Sequence, residues 1–469
     1  MKLFRQNSAC LSLSSLLVVG LVCASCKPAA HTSATSSSNS QEGTELSVAP
    51  DPLAIILTEH LGDTQADKEI RKYQDQVRRG INRQAAVERL GWAYVAKAHE
   101  SFDSGFYKLA EICATVLESD SPGCSEGLLL RGHVLQNLHR FKEAEAIARE
   151  LATKRGLPFD FGLLGDTLME QGKLKEAVEF YQKMVDLRPD LQSYSRIAHV
   201  RWLTGDLEGA MEMMRAAVSA SSPRDPDTAA WVNSRLAGLE LQFGDTQQAL
   251  RCFDAALEFQ PDYPPALLLR GKLLLTKDDL EAAVTDLQLA ATQNPIPEYQ
   301  WTLADALREA GRETEAVEIE SRIRTQGATT DPRGLSLFLA TRGENVELAV
   351  QLAEQEFTQR EDVFTHDALA WALAAAGRLE EAQVHMEQAL AEGTKDPRLF
   401  FHASVIASKA GQSEKAMKWF IATAAMNDLL LPSERELLFK LPHSFASNPA
   451  DDSAALPPSE TATLSPSDN

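Results

Sequence analysis

The sequence predicts an all-α solenoid of about ten helix–turn–helix units, with a helical cap at each end and disordered termini. Three observations predict it: an alanine that recurs every 33 or 34 residues with one interval of 39, a second small residue that usually lies twelve positions earlier, and a glycine that usually lies five positions earlier. A repeat of this length is typical of stacked hairpins, each of which buries its apolar face only against its neighbours. The recurring alanines are Ala110, Ala144, Ala177, Ala210, Ala249, Ala283, Ala316, Ala349, Ala382 and Ala416.

The paired small residues predict that the two helices of each unit cross closely. Helix axes approach to the near end of the 8–10 Å range only where the crossing residues are small. Glycines such as Gly172 and Gly244 favour a turn between the two helices, and a proline twelve positions after the alanine ends the second one. The small residues of the first helices are Gly132, Gly165, Ala198, Ala237, Gly271, Ala304, Ala370 and Ser404, and the prolines include Pro189, Pro261 and Pro295.

Some segments depart from this pattern. In the first unit Gly91 lies nineteen residues before its alanine, so we expect residues 99–106 to lengthen the hairpin loop. In the eighth unit Leu337 replaces the small residue and Gly343 is shifted by one, which predicts a splayed or misassigned hairpin. Residues 221–227 contain two prolines and are expected to form an enlarged loop. Residues 66–79 and 433–440 have the apolar spacing of helices that could cap the two ends.

The best unit carries a recognisable signature. Its residues are Phe161, Leu164, Gly165, Gly172, Ala177, Tyr181 and Pro189. In type and spacing they resemble the tetratricopeptide repeat family, and the resemblance extends over about residues 84–430. It implies a right-handed superhelix, here assigned to residues 51–443 with its caps, whose first helices line a concave groove that binds a protein or peptide.

The first 25 residues have the features of a secretory signal. Lys2 and Arg5 precede an uncharged, mainly apolar run over residues 11–22, which is too short for a stable membrane span. Ala24 and Ser25 before Cys26 resemble the lipobox of bacterial lipoproteins, which implies a lipid on Cys26 and an exported protein of the bacterial cell envelope, in the periplasm or at the outer membrane. The alternative is ordinary signal cleavage, because Cys23 stands where that family usually has leucine.

Composition sets limits on the rest of the chain. Residues 26–50 are rich in Ser and Thr and predict a disordered tether, and residues 444–469 predict a disordered acidic tail rich in proline and serine. With 44% hydrophobic and 24% charged residues, the part between them should fold. A formal charge of -21 disfavours nucleic acid as a partner. The same charge repels anionic lipid headgroups, so we expect the protein to reach the membrane only through the N-terminal lipid.

No pattern in the sequence indicates catalysis, a metal site or a cofactor. Motifs for phosphate, zinc, calcium and dinucleotide sites are missing, and His133 and His139 lack ligand-type neighbours at helical spacing. The repeats leave no stretch large enough for a catalytic domain. An oxidising compartment permits a disulfide between Cys113 and Cys124, but the expected helix geometry places the two apart, and packing as small apolar residues is the favoured interpretation.

Candidate partner contacts follow from the resemblance, which places the first helices on the inner wall. The tryptophans of the first helices are Trp92, Trp202, Trp231, Trp301 and Trp371. Polar residues in similar positions are His199, Asp305, Arg308 and Asp367. Tryptophan is enriched in binding hot spots, although Trp231 and Trp301 lie close enough to the usual core position to be core residues instead.

We therefore predict a non-enzymatic scaffold or adaptor that binds an unidentified protein or peptide in its groove. The slots that grip the C-terminal carboxylate of chaperones hold other residue types here, for example Leu129 and Ser195, so that clamp is not expected. A glycan-binding lipoprotein that uses groove tryptophans is the alternative, and an enzyme ranks third.

Overall fold

A computed structural model describes residues 51–445 of the protein, with side chains described to residue 441. This part contains 23 α-helices and one 3₁₀ helix, and it contains no β-strand. The predicted signal peptide, the tether with Cys26 and nearly all of the predicted tail lie outside the described residues. The predicted all-α solenoid is confirmed.

Ten hairpin units follow two N-terminal helices, α1 (Pro52–Ile56) and α2 (Gln65–Arg78). The first helices of units 1 to 10 are α3 (Arg83–Ser101), α5 (Ser125–Asn137), α7 (Pro158–Glu170), α9 (Leu191–Leu203), α11 (Pro226–Phe243), α13 (Pro264–Thr276), α15 (Pro297–Glu309), α17 (Pro332–Arg342), α19 (Val363–Ala375) and α21 (Pro397–Lys409). The second helices are α4 (Gly105–Asp120), α6 (Phe141–Lys154), α8 (Leu174–Leu187), α10 (Leu207–Ser219), α12 (Thr246–Phe259), α14 (Leu280–Gln293), α16 (Glu313–Thr330), α18 (Val346–Phe357), α20 (Leu379–Leu390) and α22 (Ser413–Ala424). The 3₁₀ helix Asn427–Leu429 and α23 (Pro432–Phe445) end the described chain.

The recurring small residues lie where the helices of each unit cross. All ten recurring alanines, one in each second helix, are 0% exposed. A Cβ atom on Gly165 would lie 2.4 Å from a ring carbon of Tyr181, and one on Gly271 would lie 2.6 Å from Cγ of Leu287. Because real side-chain contacts do not become so short, these crossings require residues no larger than glycine. The second helices of units 3, 5 and 6 also end two residues before Pro189, Pro261 and Pro295, as predicted.

Replacing Ala177 by leucine should lower the free energy of unfolding by about 1–3 kcal/mol, because the added carbons overpack the crossing of α7 and α8. Urea denaturation followed by circular dichroism measures this change. Val178→Leu is the matched control, because Val178 is the next residue and is 38% exposed. Equal stability of the two variants would contradict close packing at Ala177.

Unit 8 is not splayed, and the second alternative, a misassigned small position, is the one that the structure supports. Ser336, rather than Leu337, is the small residue of α17, and its hydroxyl donates to the carbonyl of Ala349 at 2.7 Å. The same contact occurs in unit 10, where the Ser404 hydroxyl donates to the carbonyl of Ala416 at 2.9 Å. Ser336 precedes its alanine by thirteen residues instead of twelve, while the turn 343–345 has three residues as in most other units, so the extra residue lies in α17 after Ser336 and the hairpin remains closed.

Unit 1 also differs from its prediction. Helix α3 continues to Ser101, so most of residues 99–106 extend the hairpin helices, and only three residues separate α3 from α4. The buried Ala98, twelve positions before Ala110, holds the small position found in the other units, whereas a Cβ atom on Gly91 would lie 2.3 Å from Cδ2 of Leu130 in unit 2. The enlarged loop predicted near 221–227 is confirmed at residues 220–225, between α10 and α11.

The two predicted caps have different outcomes. Helix α2 packs on α3, and Ile70, Tyr73 and Val77 are buried in the same apolar cluster as residues of unit 1, which confirms the N-terminal cap. The predicted C-terminal cap forms a helix, α23, but its main contacts are with α15 and α21, which are both first helices. It therefore lies against the inner wall of the superhelix instead of covering the end of unit 10.

The buried apolar residues form four neighbouring clusters that cross the unit boundaries. The largest extends from α6 to α13, and the next largest joins units 7 to 10 with the C-terminal residues Leu430, Leu431 and Leu438. Neighbouring clusters meet within units 2, 6 and 7. Each hairpin therefore buries its apolar face against the neighbouring hairpins along the whole array, as the repeat pattern predicts.

Candidate functional site

The first helices surround the interior of the superhelix. Neighbouring first helices contact each other along the array, for example α13 with α15 and α15 with α17. Ten of the thirteen residues of α15 are buried, whereas only five of the eighteen residues of its partner α16 are buried. The inner wall must therefore be covered by other parts of the chain, and two sets of contacts cover it.

The first set involves residues 425–441, here called the C-terminal segment. The hydroxyl of Ser433 donates to Oδ2 of Asp305 at 2.5 Å and accepts from Nε1 of Trp301 at 3.3 Å. The backbone amide of Ser433 donates to the same Asp305 oxygen at 3.1 Å. Two residues predicted to contact a partner therefore bind the protein's own C-terminal segment.

A chain of charges fixes the same segment. Arg398 of α21 donates to Glu434 at 2.6 Å and to Glu298 at 3.0 Å, and Lys272 donates to Glu298 at 2.7 Å. Burial opposes ionisation of Glu298, but the charges of Arg398 and Lys272 outweigh it and hold its pKa below the usual range. Glu434 also accepts from the amide of Leu431 at 2.9 Å, at the start of α23.

The second set of contacts closes one turn of the superhelix. Arg360, in the loop after unit 8, makes a buried ion pair with Glu170 at the end of α7, 190 residues earlier. Its guanidinium also lies 5.2 Å from the ring centre of Phe141 in unit 2. A Cβ atom on Gly172 would lie 2.5 Å from the carbonyl oxygen of Glu361, so this turn has to be glycine for the two loops to meet.

Unit 4 meets the loop after unit 9 in the same way. The hydroxyl of Thr394 donates to the carbonyl of Leu203 at 2.6 Å across 191 residues. A Cβ atom on Gly205 would lie 2.5 Å from the carbonyl oxygen of Gly393. The array therefore curves until the turns of units 3 and 4 rest on the loops about six units later.

Together these contacts leave a cavity of about 540 Å³ in the middle of the superhelix. First helices of the seven units 4 to 10 contribute to its wall, and residues 425–429 of the C-terminal segment cover one part. Trp202 and Phe364 stack within this wall with ring centres 5.7 Å apart, and Nε1 of Trp202 donates to Gln242 at 2.7 Å. A volume of this size lies in the range of protein ligand sites, about 300–1,000 Å³.

The five predicted tryptophans occupy different environments. Trp231, Trp301 and Trp371 are buried and belong largely to the core, although Trp371 also lines a second cavity of about 640 Å³ beside Leu437 of the C-terminal segment. Nε1 of Trp371 donates to Thr341 at 2.9 Å. Trp202 lines the cavity, and Trp92 lies partly exposed in unit 1, away from it. The sequence left Trp231 and Trp301 open between groove and core, and their burial favours the core; Trp371, which was predicted to face the groove, is buried as well.

The four predicted polar residues are also separated. Asp367 lines the cavity and accepts from Nδ1 of His402 at 2.9 Å. Asp305 holds the C-terminal segment, and His199 is buried beside Trp202 with ring centres 5.5 Å apart. Arg308 pairs with Glu320 of α16 at 2.6 Å, and neither residue lines the cavity. Only Trp202 and Asp367 among the predicted residues therefore line the cavity.

Arg235, Arg333 and Arg398 also line the cavity, and sequence patterns did not identify them. Each lies on a first helix, so the register of the repeats places it within reach of the inner wall. The sequence held one weak indication of these residues, namely a charged side chain in a helix that is otherwise buried. Charged side chains are seldom buried unless they are paired.

Cys113, Cys124 and Cys252 are free thiols in the structure, which favours the packing interpretation over a bridge between Cys113 and Cys124. Burial raises the pKa of Cys113, so its thiol is unreactive at neutral pH. Within residues 51–445, none of the helices combines the length and the apolar character needed to cross a membrane.

Lowering the pH should destabilise the protein through a pair of histidines in units 1 and 2. Burial lowers the pKa of His99 to about 3 and that of His133 to about 4. In the unfolded chain the two histidines bind protons as the pH falls below 6.5, whereas in the folded protein both rings stay neutral. The free energy of unfolding is therefore highest above pH 6.5 and decreases toward pH 4. Between pH 7.5 and 5.0 the wild type should lose more stability than His99→Gln, by on the order of 1 kcal/mol. Parallel pH profiles in urea denaturation would contradict this assignment.

Comparison with known proteins identifies the repeats independently. Profiles described as tetratricopeptide repeat match residues 161–191, 191–223, 235–295 and 363–388, which lie in units 3 to 6 and in unit 9. No curated protein matches the chain.

Several solved structures resemble parts of the fold. A thermophilic tetratricopeptide repeat protein of Thermus thermophilus is 18% identical, with a TM-score of 0.33 over 38% of this chain and 92% of that chain. Yeast Tom70 is 13% identical, with a TM-score of 0.35 over 81% of this chain and 95% of that chain. A repeat protein from Parabacteroides merdae is 18% identical, with a TM-score of 0.30 over 54% of this chain and 98% of that chain.

Proposed function

Because the chain contains tetratricopeptide repeats, which generally mediate protein–protein interactions and are typically non-enzymatic, we propose that this protein is an adaptor that binds a segment of a partner protein in its central cavity. The observation that carries the proposal is the cavity itself, which is bounded by the first helices of seven units. The inner wall beside it already binds a helix, because Asp305 and Trp301 hold Ser433 through hydrogen bonds to its side chain and backbone.

The arrangement favours a protein segment over a glycan. The glycan alternative relies on the tryptophans of the first helices, but only Trp202 of these five lines the cavity, and Trp231, Trp301 and Trp371 are buried. The cavity instead combines apolar side chains such as Leu239 and Phe243 with a few charged groups, which suits the mixed side chains of a peptide.

The proposal is tested by filling the cavity. Gly238 lines the cavity on α11, and a Cβ atom there would make only an ordinary 3.5 Å contact with Leu269. Gly238→Trp should therefore fold and occupy the space of a ligand. Val317→Trp is the control, because Val317 lies on the second helix α16 and is 51% exposed.

The measurement is selection of a random dodecapeptide display library on the three purified proteins. We expect the wild type and Val317→Trp to enrich the same peptides, and Gly238→Trp to lose them. Equal enrichment by all three proteins, or no enrichment by the wild type, would overturn a peptide-binding cavity.

We also propose that the protein is exported and anchored at the bacterial cell envelope by a lipid on Cys26. The support is in the sequence, where Lys2 and Arg5 precede an apolar run that ends in Ala24, Ser25 and Cys26. Cells grown with labelled palmitate should incorporate the label into the wild type and not into Cys26→Ala. Label absent from the wild type, or retained in Cys26→Ala, would contradict the anchor.

A further inference from the structure

We propose that the cavity recognises an acidic side chain of the bound segment through the guanidinium of Arg235. This inference rests on the proposed peptide-binding function and names the chemistry of the ligand. A carboxylate accepts two parallel hydrogen bonds from a guanidinium, and the fixed geometry of that pair gives specificity as well as affinity. Three features of the cavity support the assignment.

The first feature is that Arg235 has no ionic partner among the described residues, although it is half-buried in the cavity wall. The other basic residues of the wall are all near acids. Arg333 lies 3.7 Å from Asp362, and Lys272 and Arg398 share Glu298. Burial lowers the pKa of Arg235, so a carboxylate placed beside it would relieve an uncompensated buried charge.

The second feature is that the buried Asp367 and the half-buried Asp396 of the wall are already engaged by other groups. Asp367 binds His402 at 2.9 Å. Asp396 accepts from the amides of Arg398 and Leu399, both at 3.0 Å, where it caps the start of α21. Asp428, on the 3₁₀ helix, also lines the cavity, but it is exposed and makes no ion pair in the described structure.

The third feature is the surroundings of Arg235. The cavity also presents Trp202, Leu239, Phe243 and Phe364, and charge pairs are strengthened where water is excluded by such side chains. His199 is buried next to Trp202, and burial together with the charge of Arg235 lowers its pKa to about 3. That ring is therefore neutral and does not compete for the carboxylate. The ligand expected from these features is Asp or Glu beside a large apolar residue.

The test compares Arg235→Gln and Arg235→Lys with the wild type and with Gly238→Trp. Dodecapeptides enriched by the wild type should contain Asp or Glu next to Phe, Leu, Met or Trp. Arg235→Gln should bind a selected peptide about 10- to 100-fold more weakly by fluorescence anisotropy, the range expected for loss of a charged hydrogen bond. Arg235→Lys should keep part of the affinity and the acidic preference. Replacing the acid of the peptide by its amide should weaken binding to the wild type and leave Arg235→Gln unaffected.

The outcomes separate this inference from the proposed function. If Gly238→Trp abolishes binding but the selected peptides lack acids, or Arg235→Gln binds as tightly as the wild type, the cavity binds peptides and the role of Arg235 is wrong. If Gly238→Trp binds as the wild type does, the proposed function itself fails. Glutarate serves as a probe for small acids, and a dissociation constant for glutarate far below that of the selected peptide would show a metabolite site instead. Thermal denaturation of each variant verifies that it is folded.

Discussion

Replacing Arg360 by methionine should lower the free energy of unfolding by about 3–5 kcal/mol, the cost of leaving a buried charge without its partner. Arg360 and Glu170 are both buried, and the pair joins the loop after unit 8 to the end of the first helix of unit 3. Arg360 and Arg333 together hold the pKa of Asp362 below its usual range against the opposing effect of burial. Methionine keeps the approximate length and the apolar stem of the side chain. The decrease in the free energy of unfolding therefore measures the contribution of the charge.

Arg378→Met is the matched control for this variant. Arg378 forms ion pairs with Glu381 at 2.6 Å and Glu354 at 3.4 Å, but it is 42% exposed. Exposed pairs of this kind contribute little to stability, because water and salt screen the two charges. Urea denaturation at pH 7.5 measures both variants. A loss for Arg360→Met no larger than that for Arg378→Met would show that the two loops do not form a buried contact.

Replacing Leu438 by alanine should cost about 2–5 kcal/mol, because it removes a side chain that is 0% exposed in the cluster between α23 and the inner wall. Phe439→Ala is the control, since the neighbouring Phe439 is 54% exposed. If α23 were only a loosely attached tail, both variants would melt as the wild type does. A large loss for Leu438→Ala alone would show that the C-terminal segment is an integral part of the fold.

The repeats were predictable because their cause is local. A small residue at a helix crossing recurs in every unit, so the period of the alanines determined the number of hairpins. The predicted small position was wrong in units 1 and 8, whose first helices differ in length from the usual pattern. In unit 8 one extra residue in α17, between the small position and the turn, places the small position at Ser336, and in unit 1 a longer α3 places it at Ala98.

The candidate site was less predictable because it depends on how the whole array curves. Contacts such as Glu170 with Arg360 join residues 190 positions apart, and no local pattern encodes the pitch that brings them together. Periodicity indicated that residues 433–440 form an amphipathic helix, but it did not show that Ser433 would face Asp305 across 128 residues. For the same reason, the sequence did not show that Trp371 and the other buried tryptophans, Trp231 and Trp301, would lie in the core instead of on an open groove.

The central claim is that the superhelix closes on itself, and a double-mutant cycle between Glu170 and Arg360 tests it most directly. Glu170→Gln, Arg360→Met and the double variant are compared with the wild type by urea denaturation. A closed superhelix predicts an interaction energy of about 1.5 kcal/mol or more, because each single change leaves the same buried pair incomplete. Additive effects, within about 0.5 kcal/mol, would mean that these residues do not touch and that the superhelix is open.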